Sequence, residues 1–318
     1  MNNIQRKVVI VGAGAVGATY AYALSQSGLA EEIVLIDKNE DLVKGQVLDL
    51  LHGQPFIPTV KIRAGSSEDY TDARMIVITA GAAQKPGETR LQLLQKNAGI
   101  VKSISREIVE KKSEGLILVV TNPVDIMTYV AIKETGWDRH RILGSGTVLD
   151  SARFRHLLSQ HCGVDVHNVH AYILGEHGDS EFAAWSLTNI AGMQMDQYCP
   201  LCNNCIDWKS VRKNIEQNVR KSAYHIIDAK GSTHFAVGLA LVRITASILR
   251  TQNSVLTVSV LLDGEFGLSD VCLSVPSIIS DKGVVKIMST SLLPVELRLL
   301  EKSATILKEA INSLTSEQ

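Results

Sequence analysis

The stretch VVIVGAGAVGATYAYAL, residues 8–24, constrains this chain more than any other part of it. An unbroken apolar run ends on Gly12, Gly14 and Gly17 in G-x-G-x-x-G spacing and passes directly into a helical pattern. A strand this uniformly apolar is buried on both faces, as in a parallel sheet covered by helices. Gly12 permits the tight turn, Gly14 lets the backbone approach a pyrophosphate, and Gly17 lets helix and strand pack closely. The helix N-terminus then attracts the phosphates. A second run, EIVLID, ends in Asp37, 20 residues beyond Gly17. A carboxylate there accepts hydrogen bonds from both ribose hydroxyls and repels a 2′-phosphate, so the pattern predicts NAD over NADP.

Further apolar runs, MIVITAG, LILVVTNP and RILGSG, alternate with helical stretches such as RLQLLQKNAGIVKSISREIVEKKSEG. That alternation predicts an α/β Rossmann dinucleotide-binding domain with a parallel sheet. After about residue 147 the pattern changes. VLDSARFRHLLSQHCG reads as a helix, VHAYILGEHGD as a strand leading into a loop, and residues 207–231 and 236–250 as two long helices. SVLTVSVLLDG and VCLSVPSIIS read as paired strands, and VELRLLEKSATILKEAINSL as a closing helix. The expected division is residues 1–147 for cofactor binding and 148–318 for an α+β catalytic domain, which 318 residues accommodate.

Charge excludes several partners. With 32 basic and 33 acidic residues the net charge is −1, so there is no basic excess to hold nucleic acid or an anionic membrane. No apolar stretch reaches membrane-span length, and the N-terminus runs into a strand pattern without a signal-peptide layout. Five cysteines, an odd and sparse count, favour reduced thiols and a cytoplasmic location. CPLCNNC sets Cys199, Cys202 and Cys205 at C-x2-C-x2-C spacing. A structural zinc needs four ligands, and no fourth Cys or His is near in sequence, so the expectation is no metal and a polar loop with free thiols.

His177 lies in ILGEHGDSEF, between glycines. Alone, a histidine is more often structural than catalytic. VLDSARFR adds Asp150 and Arg153, three apart on one helical face. TNPVD puts Asn122 at a strand's carboxyl end, where open α/β sheets bind ligands. With GAGAVG, QKPGETRL, GEHGDSE and NSVLTVS, these segments make the chain resemble the L-lactate dehydrogenases of the lactate/malate dehydrogenase group, from about Lys7 to Leu314. It lacks the long N-terminal arm of vertebrate members and so resembles the bacterial ones.

The resemblance implies roles. His177 would give a proton to the carbonyl oxygen of pyruvate while NADH delivers hydride, and would take it back from L-lactate at the end of fermentative glycolysis. Asp150 would orient His177, Arg153 would grip the substrate carboxylate, Asn122 would orient His177 and the substrate oxygen, and Thr233 would form the far wall. Arg90 would polarise the carbonyl once the segment AAQKPGETR closes. Gln84 stands where malate dehydrogenases of the group carry Arg. A second substrate carboxylate would be buried unpaired beside it, so a monocarboxylate is favoured. Contacts to NAD would come from Gly12, Gly14, Val16, Gly17, Asp37, Gly81, Ala82, Ser103, Thr121, Asn122 and Ser145. Arg155 and His170 match the residues that bind fructose 1,6-bisphosphate at a subunit interface of tetrameric bacterial members, which implies a homotetramer activated by that ligand. His234 and Phe235 follow Thr233 where two aromatics are common, which leaves room for a broader 2-hydroxy-acid dehydrogenase. A non-catalytic NAD-binding protein is the alternative from another class, and the intact His177, Asp150, Arg90 and Arg153 weigh against it.

Overall fold

The computed structural model describes residues 6–315, apart from 84–86, 88, 203, 205–206 and 290–291. Six strands lie parallel: β1 (Lys7–Val11), β2 (Glu32–Ile36), β3 (Lys61–Ala64), β4 (Met75–Ile78), β5 (Leu116–Val119) and β6 (Ile142–Gly144). Three more strands follow in the second half: β7 (Ser254–Asp263), β8 (Ser269–Ser280) and β9 (Gly283–Ile287), paired antiparallel. All nine form one sheet in the order β9-β8-β7-β6-β5-β4-β1-β2-β3.

The expected strands of the first half are present, and a further one, β3, is added at the edge. Its alternation of Lys61 and Arg63 with the buried Ile62 hides it from a search for continuous apolar runs. The paired strands of the second half also form, yet they extend the parallel sheet instead of building a separate one. The junction is a single antiparallel step, Ser259 on β7 opposite Gly144 on β6.

Helices α1 (Ala15–Ser27), α2 (Glu40–His52), α3 (Arg90–Glu110) and α4 (Val124–Thr135) cross between the parallel strands. Chain order reverses between β1 and β4: β1 pairs with β2 on one side and with β4 on the other. At such a reversal the connecting helices leave on opposite faces and open a crevice at the strands' carboxyl ends. The second half adds α5 (Val148–Cys162), α6 (Trp208–Lys230), α7 (Phe235–Leu249) and α8 (Pro294–Thr315). One apolar core runs through both halves, from Val8 and Ile76 to Leu273 and Leu300. A smaller core gathers Phe154, Leu158, Trp185, Ile215 and Val219 between α5, α6 and short hairpins. The Tyr20 and Thr245 hydroxyls, 2.6 Å apart, join α1 to α7. Among the described residues, no helix is long and apolar enough to cross a membrane.

The cysteine segment departs from expectation. Cys199 is disulfide-bonded and not a free thiol, while Cys162 and Cys272 are free and buried. Cysteine pairing follows distance in space, which spacing along the chain does not report.

Candidate active site

The crevice is lined first by the glycine turn. Gly12 has φ +110°, and a Cβ there would lie 2.5 Å from the Ala80 nitrogen. A Cβ on Gly17 would lie 1.9 Å from the Gly12 carbonyl oxygen, so helix and strand meet at a distance only glycine allows. A Cβ on Gly14 would meet nothing within 4 Å. Gly14 caps α1 with no side-chain hydrogen bond, so no capping side chain occupies its first-turn N–H groups. Asp37, half-buried at the end of β2, accepts from the Ala13 backbone nitrogen at 2.8 Å, which fixes its carboxylate against the turn. An open helix N-terminus and an adjacent carboxylate fit the pyrophosphate and ribose of NAD.

The ends of β4 and β5 form the next wall. The Thr121 hydroxyl donates to the carbonyls of Ile78 and Ala80, at 3.2 and 2.7 Å. Asn97, buried on α3, accepts from the Ala82 nitrogen at 2.8 Å and donates to the Asn122 carbonyl at 2.9 Å. This one side chain sets the spacing of two loops. Gly81 and Asn122 are exposed, Ala82, Val16 and Ser145 half-buried, and Ser103 stands on the exposed face of α3.

His177 sits on a hairpin loop between the two-residue strands Ile173–Leu174 and Phe182–Ala183. Helix α5 is clamped to the first of these. The Thr147 hydroxyl donates to the Ile173 carbonyl at 2.5 Å, and the Ser151 hydroxyl accepts from the Ile173 nitrogen at 2.9 Å. That clamp brings Asp150, in the first turn of α5, up to the loop. Asp150 Oδ2 and His177 Nδ1 are 2.7 Å apart, and Arg153 Nη1 donates to Asp150 Oδ1 at 2.7 Å. Asp150 is 2 % exposed. Burial pushes its carboxyl up, but the His177 imidazole and the Arg153 guanidinium outweigh this and hold it below the usual carboxylate range. Burial works against the His177 imidazolium, yet the charge and hydrogen bond of Asp150, with Glu181 and Asp125 behind, raise it to about 9. An ionised carboxylate only accepts, so Nδ1 carries a proton and Nε2 is the nitrogen left for exchange.

Two acidic neighbours did not stand out in the sequence. Glu181, 5 % exposed, has an oxygen within 4.8 Å of the Asp150 and His177 ring or carboxylate atoms. Burial and then the charge of Asp150 push it up to about 9, with His177, Arg153 and Arg220 pulling the other way. Asp125, 2 % exposed, accepts from the His177 backbone nitrogen at 2.7 Å.

Other expected residues lie apart from this cluster. Arg90 is the exposed first residue of α3, behind the Thr89–Gln92 capping box, and among the described residues no hydrogen bond joins it to His177, Asp150 or Arg153. Gln84 lies outside the described residues, as do Lys85, Pro86 and Glu88. Thr233 is half-buried just past α6. His234 is engaged by Ser232 at 3.1 Å and Lys230 at 3.3 Å, while Phe235 is exposed. Arg155 donates to the Ala171 carbonyl at 3.3 Å with its guanidinium 5.6 Å from the Tyr172 ring centre, and His170, next to Ala171, is exposed.

Residues 6–144 match the NAD-binding domain of lactate/malate dehydrogenases, and residues 147–318 match the α/β C-terminal domain of the same family. An L-lactate dehydrogenase of Treponema denticola is 54 % identical, over 99 % of this chain and 100 % of its own length. One from Acetivibrio thermocellus is 52 % identical over 98 % of each chain. The crystal structure of a lactate dehydrogenase from a Medee basin deep-sea metagenome superposes with a TM-score of 0.95 at 42 % identity, covering 98 % of this chain and 99 % of the other. The minor L-lactate dehydrogenase of Enterococcus mundtii, in its ligands-bound form, gives 0.94 at 40 % identity with the same coverage.

Proposed function

The chain belongs to the lactate/malate dehydrogenase family and is an NAD-dependent L-lactate dehydrogenase, and on that premise we propose how its residues carry the reaction. The observation that carries the reading is the chain of contacts from Arg153 through Asp150 to His177, with both links at 2.7 Å. Bound in the crevice, NADH supplies the hydride for the carbonyl carbon of pyruvate. His177 gives the proton at Nε2 to the carbonyl oxygen, and in the reverse direction takes it from the hydroxyl of L-lactate. Asp150 keeps Nδ1 protonated and stabilises the imidazolium, so the same nitrogen serves both directions. Arg153 gives one donor to Asp150 and offers its remaining donors to the substrate carboxylate. Asn122 orients the substrate oxygen, and Thr233 closes the far side.

Arg90 reaches the carbonyl only when its segment folds over the crevice, which removes water and strengthens the interaction with developing negative charge. Gln84, neutral, selects a substrate with no second carboxylate. Residues 1–147 form the NAD-binding domain, which also lends Gln84, Arg90 and Asn122 to the substrate, and 148–318 form the catalytic domain. The working unit is a homotetramer in the cytoplasm, in which Arg155 and His170 bind fructose 1,6-bisphosphate.

The test is a panel of pyruvate, oxaloacetate and branched 2-oxo acids with NADH, for wild type and Gln84→Arg. Pyruvate is the expected best substrate of the wild type, and the variant is expected to shift toward oxaloacetate. Equal pyruvate/oxaloacetate ratios of kcat/KM in the two proteins would remove Gln84 from the account. No oxidation of NADH with any of these acids would overturn the reading as a whole.

A further inference from the structure

Asp125 stands in the first turn of α4, directly after the segment that carries Asn122. It is buried, and each of its oxygens has one partner. Oδ2 accepts from the backbone nitrogen of His177 at 2.7 Å, and Oδ1 accepts from the Ser259 hydroxyl at 2.5 Å. Three separate parts of the chain meet at this carboxylate: the end of β5 with α4, the hairpin loop that bears His177, and β7 at its junction with β6. A buried carboxylate with two donors and a helix N-terminus behind it is held in one orientation. Its anchor is on the main chain of His177, while Asp150 holds the ring. The two acids together fix both ends of the residue.

We propose that Asp125 is a positioning residue for the proton donor: its ionised carboxylate pins the backbone of His177 so that the ring meets Asp150 and Nε2 faces the substrate. This rests on the assignment of His177 as the acid/base. Main-chain anchoring matters because misplacement of a reacting group by about 1 Å can cost roughly a hundredfold in rate.

The groups facing Asp125 are few. Glu176 and His177 face it from the hairpin loop and Cys272 from β8, while β7 presents the uncharged Ser259. Asp150 and Glu181 face His177 alongside it. Farther along α4, Lys133 pairs with Asp270 and Glu134 with Arg106. Burial pushes the Asp125 carboxyl up to about 6, against the hydrogen bonds from Ser259 and the His177 nitrogen. A proton taken there removes the charge and one acceptor, so the anchor weakens as pH falls through about 6.

The experiment compares full-length wild type, Asp125→Asn, Asp125→Ala, Ser259→Ala and His177→Asn in NADH-dependent pyruvate reduction across pH. Asp125→Ala is expected to lower kcat by about 10- to 100-fold with a smaller change in KM. Asp125→Asn keeps the shape and is expected to lose less rate but to abolish the acid limb near pH 6. Ser259→Ala removes only the donor, and is expected to move that limb to higher pH. If Asp125→Ala does not fold, the other two variants carry the test. Folded variants with wild-type kcat and an unchanged acid limb would overturn the inference, as would a loss confined to thermal stability. An inactive wild type, or an active His177→Asn, would instead defeat the assignment of His177.

Discussion

One helix, α5, serves two regions that treat charge in opposite ways. Asp150 and Arg153 lie toward its start, buried or nearly so, and Asp150 pairs with both Arg153 and His177 at 2.7 Å. Arg155, half a turn on, donates to the Ala171 carbonyl and lies over the face of Tyr172, and His170, next to Ala171 in the chain, is exposed. No acidic partner for Arg155 or His170 occurs among the described residues. A group that must hold a proton in one place needs its counter-charge built in. A site that responds to an anion needs its positive charge left unspent, because a carboxylate already there would compete with the ligand. The His177 cluster has its counter-charges in place, and among the described residues the Arg155 face has none.

The largest effect should separate the two regions outright. His177→Asn is expected to lower kcat/KM for pyruvate by about 10²- to 10⁴-fold, the usual range for a lost general acid. Arg155→Gln is expected to leave kcat at saturating pyruvate unchanged. Steady-state kinetics on both variants would break the comparison if Arg155→Gln proved as damaging as His177→Asn.

Next in size is the response to fructose 1,6-bisphosphate. In wild type it is expected to lower half-saturation by pyruvate by about 5- to 150-fold, the span of ordinary coupling energies. Arg155→Gln and His170→Gln should flatten that response, and sedimentation should show the ligand tightening the assembly. Superimposable wild-type saturation curves with and without the ligand would make the Arg155 face ordinary surface.

The two regions were also unequally legible in the sequence. The glycine turn and Asp37 could be read from local physics, because a turn, a helix start and a carboxylate one strand over are close in sequence or fixed in spacing. The meeting of His177 with Asp150 spans 27 residues and came from the family motif, since nothing local predicts that α5 is clamped to Ile173. Asn97 and Asp125 were missed for a related reason. Each is a polar residue among mostly apolar buried positions of its helix, and only the tertiary partners reveal what it holds. Edge strand β3 and the continuation of the sheet through β7 depend on pairing at long range.

A smaller effect is the dependence on pH. His177 is raised from 6.5 to about 9 in the folded protein. On the proposed role of His177, pyruvate reduction needs the imidazolium, so kcat/KM of the free enzyme is expected to fall by about tenfold per pH unit above about 9. The same shift has a stability sign. A raised folded-state pKa contributes stability that is fully present below about 6.5 and lost as pH rises through about 9. Denaturant titrations across that window should show it, and Asp150→Asn should move both the kinetic limb and the stability change to lower pH. A limb that stayed at the same pH in Asp150→Asn would mean another group sets it.

The smallest effect tests whether the cluster is as tightly assigned as the comparison requires. Asp150 and Glu181 approach within 4.8 Å, and two carboxylates that close do not both ionise near neutral pH when one has far better partners. Asp150 has His177 and Arg153 in direct contact. No hydrogen bond to the Glu181 carboxylate is found among the described residues, and burial and Asp150 push it up to about 9. Charge therefore settles on Asp150, and Glu181 stays protonated. Glu181→Gln, which replaces one neutral group by another of the same shape, should then overlay the wild-type pH profile between pH 6 and 8 to within about twofold. Above pH 8 the profiles should part, because only the wild type can still gain a negative charge there and hold the imidazolium longer. If Glu181→Gln instead departed from the wild-type profile by more than twofold already between pH 6 and 8, Glu181 would be ionised in the working enzyme. The His177 cluster would then carry a charge with no partner in contact, as the Arg155 face does.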